Sequence, residues 1–231
     1  MHFCGMNKTT LLDYPGHVAA TLFTGGCNMR CPFCQNSILV LAPQQQPEIS
    51  EQDVLAFLRR RRGILEGVCI TGGEPTLHND LEDFIRRVRE MEYLIKLDTN
   101  GYRPQILRHL LEEELLDYVA MDIKASKERY GIACGLAEVE LNRIEESVEL
   151  LKISSIPYEF RTTVVKGIHS PEEFTAIGRW LQGSRAYYLQ NFRDSGQVMQ
   201  PGFAEFERAE LEEMRERAAQ YVPRTELRGL M

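Results

Sequence analysis

The stretch Thr24–Asn36, TGGCNMRCPFCQN, decides how this chain is read. It gathers Cys27, Cys31 and Cys34, half of the six cysteines, within eight residues, and no fourth cysteine is near. Gly25, Gly26 and Pro32 oppose a helix here, so the segment reads as a loop that lets three sulfurs converge. A structural zinc ion wants four ligands, and neither cysteine nor histidine supplies the fourth at suitable spacing; His17 and His78 read as ordinary surface or core residues. A four-iron four-sulfur cluster held by three thiolates leaves one iron open to a substrate. Cys4, Cys69 and Cys134 are isolated and read as packing residues.

The loop follows HVAATLFT (17–24), the first of six β-rich runs. The others are GVCITGG (67–73), LIKLDTNG (94–101), DYVAMDIK (117–124), PYEFRTTVV (157–165) and RAYYLQNF (185–192). Helical periodicity lies between them: after Ser50 as N-cap, from Asp80, from Pro104, from Leu141, after Ser170 with Pro171 at the first position, and in ERAELEEMRERAAQYV. Strict βα alternation predicts parallel strands joined by right-handed crossovers, in an open sheet or a barrel. Six units fall short of the eight that close a full barrel. No linker-like tract divides the chain, so residues 1–231 read as one α/β domain; APQQQPE (42–48) reads as a surface loop.

Polar residues inside buried parallel strands need a reason, and here they cluster at strand ends: Asp98 and Asn100, Asp122 and Lys124, Arg161 and Thr163, and Gln190. The carboxyl ends of the strands are where βα folds bind ligands, although such residues can also pair among themselves as a buried polar layer. The second run ends in GGEP (Gly72–Pro75), whose glycines let backbone approach a ligand. Neither a phosphate loop nor a dinucleotide fingerprint is present.

The net charge of -7 argues against nucleic acid and against an anionic membrane surface as partners. No stretch has the length of a membrane helix or the pattern of a signal peptide, which predicts a cytoplasmic protein with reduced thiols. Clustered cysteines are then metal ligands or catalysts rather than disulfides. The run Arg59–Arg62 spreads around a helix and reads as a solvated end.

The CxxxCxxC spacing with Phe33 before its last cysteine, followed by GGEP, resembles the radical S-adenosylmethionine (SAM) enzymes. With LLDYPGHVAATLFTGGCNMRCPFCQN, LDTNG, MDIK and YLQNFR the chain is most similar to glycyl-radical-enzyme activases, in particular those of anaerobic ribonucleoside-triphosphate reductase. The resemblance implies a partial (β/α)6 barrel. It implies that Cys27, Cys31 and Cys34 hold the four-iron four-sulfur cluster, that Gly72, Gly73, Glu74 and Pro75 receive the amino group of SAM, and that Phe33 lies against its adenine. Asp98, Thr99, Met121 and Asp122 match a monovalent-cation and carboxylate site, with Lys124 beside them, and Arg161 and Gln190 match cofactor contacts. The implied reaction is reductive cleavage of SAM to a 5′-deoxyadenosyl radical, which generates a glycyl radical on a partner enzyme. Electrons would come from a flavodoxin- or ferredoxin-like donor. Asp13 is a candidate for contact with the partner's glycine loop, or a turn residue. Alternatives are a pyruvate formate-lyase-type activase, a small-molecule enzyme such as a 7-carboxy-7-deazaguanine synthase, and an iron-sulfur protein for electron transfer or sensing.

Overall fold

In the computed structural model, which describes residues 1–194 and 196–229, the strand leading into the cysteine loop is Ala19–Thr24. Every residue of it except Phe23 is buried, as expected of a strand covered on both faces. The chain forms two units interleaved in sequence: Met1–Asn28, Ile38–Ala120 and Ser154–Pro157 in the first, and Met29–Ser37, Met121–Ile153 and the chain from Tyr158 in the second.

The first unit contains β1 (His2–Phe3), β2 (Gly5–Thr10), β3 (Ala19–Thr24), α1 (Ser37–Leu41) from its second residue on, β4 (Ile49–Ser50), α2 (Glu51–Arg61), β5 (Gly67–Gly72), α3 (Leu81–Arg89), β6 (Leu94–Thr99) and α4 (Pro104–Glu112). Its sheet runs β2-β3-β5-β6. β5 lies parallel to both β3 and β6, and β2 runs antiparallel along β3. α2 starts as expected, because Ser50 Oγ accepts the Asp53 N–H at 3.1 Å, a cap worth about 1 kcal/mol. α3 buries Leu81, Phe84, Ile85 and Val88, the i, i+3, i+4, i+7 stripe of a helix packed on a sheet. Each such side chain stabilises by roughly 1.5–3 kcal/mol when fully buried.

β7 (Tyr118–Asp122) crosses from the first unit into the second, which continues with α5 (Tyr130–Cys134), α6 (Leu141–Ile153), β8 (Tyr158–Val164), α7 (Glu173–Trp180), β9 (Tyr187–Asn191), α8 (Arg208–Ala219) and β10 (Thr225–Arg228). β8, β9 and β10 are parallel neighbours in that order. Two of its buried polar groups find partners within it: the Tyr187 hydroxyl lies 2.7 Å from Thr162 Oγ1, and the Glu159 carboxylate takes a bidentate pair from Arg228 at 2.6 and 2.8 Å.

All six expected strands are present, as β3 and β5 through β9. β2, with its polar GMNKTT sequence, and the four-residue β10 carry too weak a pattern to be foreseen. Ser170 does not cap α7; the chain first makes a tighter turn, with Glu173 N–H on Ser170 O, and the helix begins at Glu173. APQQQPE contains a 3-10 turn, and its Pro43 packs against Gly25 rather than standing free. Among the described residues no helix is long and apolar enough to cross a membrane.

Candidate cofactor site

The loop after β3 is fixed before its first cysteine. A side chain on Gly25 would meet Cys4 Sγ and Pro43 Cβ, each at 2.7 Å, and Gly26 has φ +80°, the left-handed region glycine tolerates. Gly26 N–H donates to Leu39 O at 2.8 Å, and His78 Nε2 lies 3.0 Å from Gly25 O. The GGEP turn docks on the same backbone: Gly73 N–H donates to Thr24 O at 2.9 Å and Glu74 N–H to Gly26 O at 2.8 Å. A Cβ at Gly73 would collide with the Gly26 carbonyl, so this approach requires glycine.

The Glu74 side chain is buried and spends its carboxylate inside the protein. Oε1 accepts from Thr76 N–H at 3.1 Å, Thr76 Oγ1 at 2.5 Å and Thr99 Oγ1 at 2.8 Å, and Oε2 accepts from Asn100 N–H at 2.7 Å. Burial raises its pKa, against the pull of these donors. The residue therefore ties GGEP to the end of β6. From that end Asn100 Nδ2 reaches Cys27 Sγ at 3.7 Å and Asn28 Oδ1 at 2.9 Å.

The rest of the loop belongs to the second unit. Arg30 N–H donates to Cys134 O at 2.8 Å at the end of α5, where Gly135, with φ +67°, abuts the Arg30 carbonyl so closely that a Cβ would overlap it. Cys34 N–H closes a turn on Cys31 O at 3.0 Å, Pro32 O accepts from Gln200 N–H at 2.9 Å, and Gln35 Nε2 donates to Arg193 O at 2.7 Å. The buried Phe33 ring meets His169 edge-on at 6.3 Å. His169 Nδ1 accepts from Val165 N–H at 3.0 Å, so the Nε2 at 2.8 Å from Lys124 O carries the proton. Burial keeps this imidazole's pKa below its ordinary value.

Asp122 and Arg161 are brought together, Nε to Oδ1 at 2.5 Å, and Lys124 Nζ holds the other oxygen at 2.9 Å. Burial opposes ionisation of Asp122, but the two cations outweigh it and keep the carboxyl well below the usual carboxylate range. Asp98 is bonded to Lys96, Thr99 is buried on Glu74, and Met121 is fully buried. Gln190 is exposed late on β9. Asp13 precedes β3, at the strand end opposite the cysteine loop; its Oδ2 accepts from Thr21 Oγ1 at 2.5 Å and its N–H donates to Thr10 Oγ1, which is the turn role. Of the arginine run, Arg59, Arg60 and Arg62 are exposed, while Arg61 Nη2 donates to Thr9 Oγ1.

Sequence reasoning did not assign Asn100 as the Cys27 donor, Gly135 as the seat for Arg30, or His169 as the support for Phe33 and Lys124. For Asn100 the signal was its place in LDTNG; for the other two no local pattern exists. Cys69 is buried as expected but also lies 3.6 Å from Lys96 Nζ.

Among the described residues no three His, Cys, Asp or Glu side chains are gathered as a metal ion would need. By their chemistry and their CxxxCxxC spacing, three free thiols without a fourth are nonetheless a donor set that fits a four-iron four-sulfur cluster. Residues 21–181 match the family model of the radical SAM superfamily, and the chain belongs to that family. Its fold is the α/β partial (β/α)6 barrel of the radical SAM type. The chain is 31% identical over 193 residues to a Methanocaldococcus jannaschii protein provisionally named a glycyl-radical enzyme activating enzyme, covering 81% of this chain and 78% of that one. It is 31% identical over 152 residues to a protein provisionally named GTP 3′,8-cyclase from Thermococcus kodakarensis, covering 64% of this chain but 48% of the relative. The crystal structure of Streptococcus suis SuiB superposes with a TM-score of 0.69 at 15% identity, over 90% of this chain and 48% of that one.

Proposed function

We propose that this chain is a glycyl-radical-enzyme activase, and that its partner is an anaerobic ribonucleoside-triphosphate reductase. The observation that supports the activase reading is the alignment with a relative provisionally named a glycyl-radical enzyme activating enzyme, along 81% of this chain and 78% of the relative, with the three-cysteine loop set beside GGEP and LDTNG; the reductase as partner rests on the resemblance carried by LDTNG, MDIK and YLQNFR. Cys27, Cys31 and Cys34 would hold the cluster. When bound, the cluster and SAM supply an electron and a 5′-deoxyadenosyl radical able to take a hydrogen atom from a glycine of the partner.

The protein's own work is to place and enclose these groups. The backbone of Gly72, Gly73 and Pro75 receives the cofactor's amino group, while the Glu74 side chain keeps that turn rigid through its four internal hydrogen bonds. Lys124 and Arg161, oriented by Asp122, present positive charge to its carboxylate. Phe33, braced by His169, and Gln190 are assigned to the adenosine side. The chain acts as one domain over residues 1–231, in the cytoplasm, with a flavodoxin- or ferredoxin-like reductant.

The test is electron paramagnetic resonance on anaerobically reconstituted, reduced protein mixed with SAM and the reductase of the same cell. A glycyl-radical signal requiring all three components supports the reading. Cofactor cleavage without that signal sinks the partner assignment. The relatives named GTP 3′,8-cyclase favour a second reading, small-molecule radical chemistry, but this chain spans only 48% of such a relative. Cleavage stimulated by GTP would favour it.

A further inference from the structure

The resemblance brings with it a monovalent cation on Asp98, Thr99, Met121 and Asp122, and the residues present do not fit one. Lys96 and Asp98 lie two apart on β6 and so share a face, and the Lys96 ammonium is hydrogen-bonded to Asp98 Oδ1. The pair is removed from water: the Lys96 side chain is 2% exposed and that of Asp98 11%. Cys69, the register partner of Lys96 on β5, places its sulfur 3.6 Å from Nζ. A lysine this deeply buried persists as an ammonium only with an anion in reach, and Asp98 is that anion. Asp122, the other carboxylate of the set, is matched separately by Arg161 and Lys124.

A sodium or potassium ion on Asp98 would face the ammonium across one carboxylate, where little water screens their repulsion. We propose that Lys96 is the built-in counter-ion of Asp98. Its ammonium supplies the positive charge that a bound alkali cation would otherwise bring, so the protein takes up SAM without one. This rests on the assignment of SAM as cofactor.

The test uses cluster-loaded protein exchanged into tetramethylammonium buffer, with SAM affinity measured before and after potassium chloride replaces tetramethylammonium chloride at equal ionic strength. The wild-type affinity is expected to stay the same within about twofold, whereas Lys96→Met weakens by about tenfold in tetramethylammonium and recovers in potassium. Recovery by potassium is a response that a merely structural lysine would not give. A wild-type affinity that rises tenfold with potassium overturns the proposal, as does Lys96→Met binding that ignores the cation. If that variant fails to fold, the wild-type titration decides. A sodium-23 relaxation titration of the wild-type protein needs no cofactor, so it decides even if SAM does not bind. No saturable sodium site is expected, and finding one refutes the counter-ion role.

Discussion

The side-chain amide of Asn100 lies 3.7 Å from the Cys27 sulfur and donates from the same nitrogen to Asn28 Oδ1 at 2.9 Å. A hydrogen bond to a cluster thiolate withdraws negative charge and raises the reduction potential. Asn100→Asp keeps the shape, removes the donor and adds charge. It is expected to assemble a cluster of normal iron and sulfide content with a lower reduction potential, read by a redox titration followed by electron paramagnetic resonance. An unchanged potential would mean that the amide does not act on the sulfur.

Glu74→Gln tests the tie between GGEP and β6. The substitution leaves one acceptor oxygen for four donors and sets an amide N–H against another donor, which costs about 1–3 kcal/mol. For a chain of this size that lowers the apparent Tm by roughly 2–10 °C. Thermal unfolding of the cluster-free protein is the check, since it separates this structural role from cofactor binding. An unaltered midpoint would remove Glu74 from that role.

Gly73→Ala and Gly135→Ala each drive a methyl into a backbone carbonyl, Gly26 in one case and Arg30 in the other. Overpacking of this kind costs about 1–3 kcal/mol, and Gly135 adds roughly 1–2 for its left-handed backbone. Both variants should take up less iron on reconstitution. Gly16→Ala, also at positive φ but in open space, should take up the normal amount. Equal iron in all three would show that neither close approach shapes the loop.

The pH dependence follows from two depressed pKa values. Asp122 is held ionised by Arg161 and Lys124 in the folded state, so its stabilisation is complete above the unfolded value of about 4 and is lost as the pH falls further. His169 is buried as the neutral imidazole while the unfolded chain binds a second proton below about pH 6.5, so stability falls on acidification from that point. In His169→Gln the midpoint should be lower throughout but decline less between about pH 6.5 and 5. A decline as steep as in the wild type would assign the titration to another group.

Cys31→Ala should abolish cluster assembly, whereas Cys134→Ala should retain it with a stability loss of about 1–2 kcal/mol from the small cavity. What Cys134 gives to the loop is its carbonyl, which alanine also has. Loss of the cluster in Cys134→Ala would show that the thiol itself is needed.

Local pattern explains what could be read in advance. The six buried strands announce themselves as apolar runs, and Cys27, Cys31 and Cys34 as a spacing, because both signals lie within one segment. Glu74 was legible as part of GGEP, but not as the acceptor for Thr99 and Asn100, which lie about 25 residues on. Lys96 was not singled out in LIKLDTNG; that it is buried emerges only when Cys69 and Asp98 are seen around it. Asp13 drew attention by sitting just before β3, and its bonds to Thr21 and Thr10, which give it a turn's part, emerge only when the strands are in place.

The anchors of the segment 29–37 set the order in which the protein can mature. Arg30 waits for Cys134, and Pro32 and Gln35 wait for Gln200 and Arg193. At ~5–20 residues per second, the ribosome needs roughly 10–30 s after making the third cysteine before the last of these clasps exists. Until then Cys31 and Cys34 sit on a segment that lacks those clasps. Iron-sulfur loading is therefore expected to follow completion of the chain, so protein made in air should reconstitute less iron than protein made without oxygen.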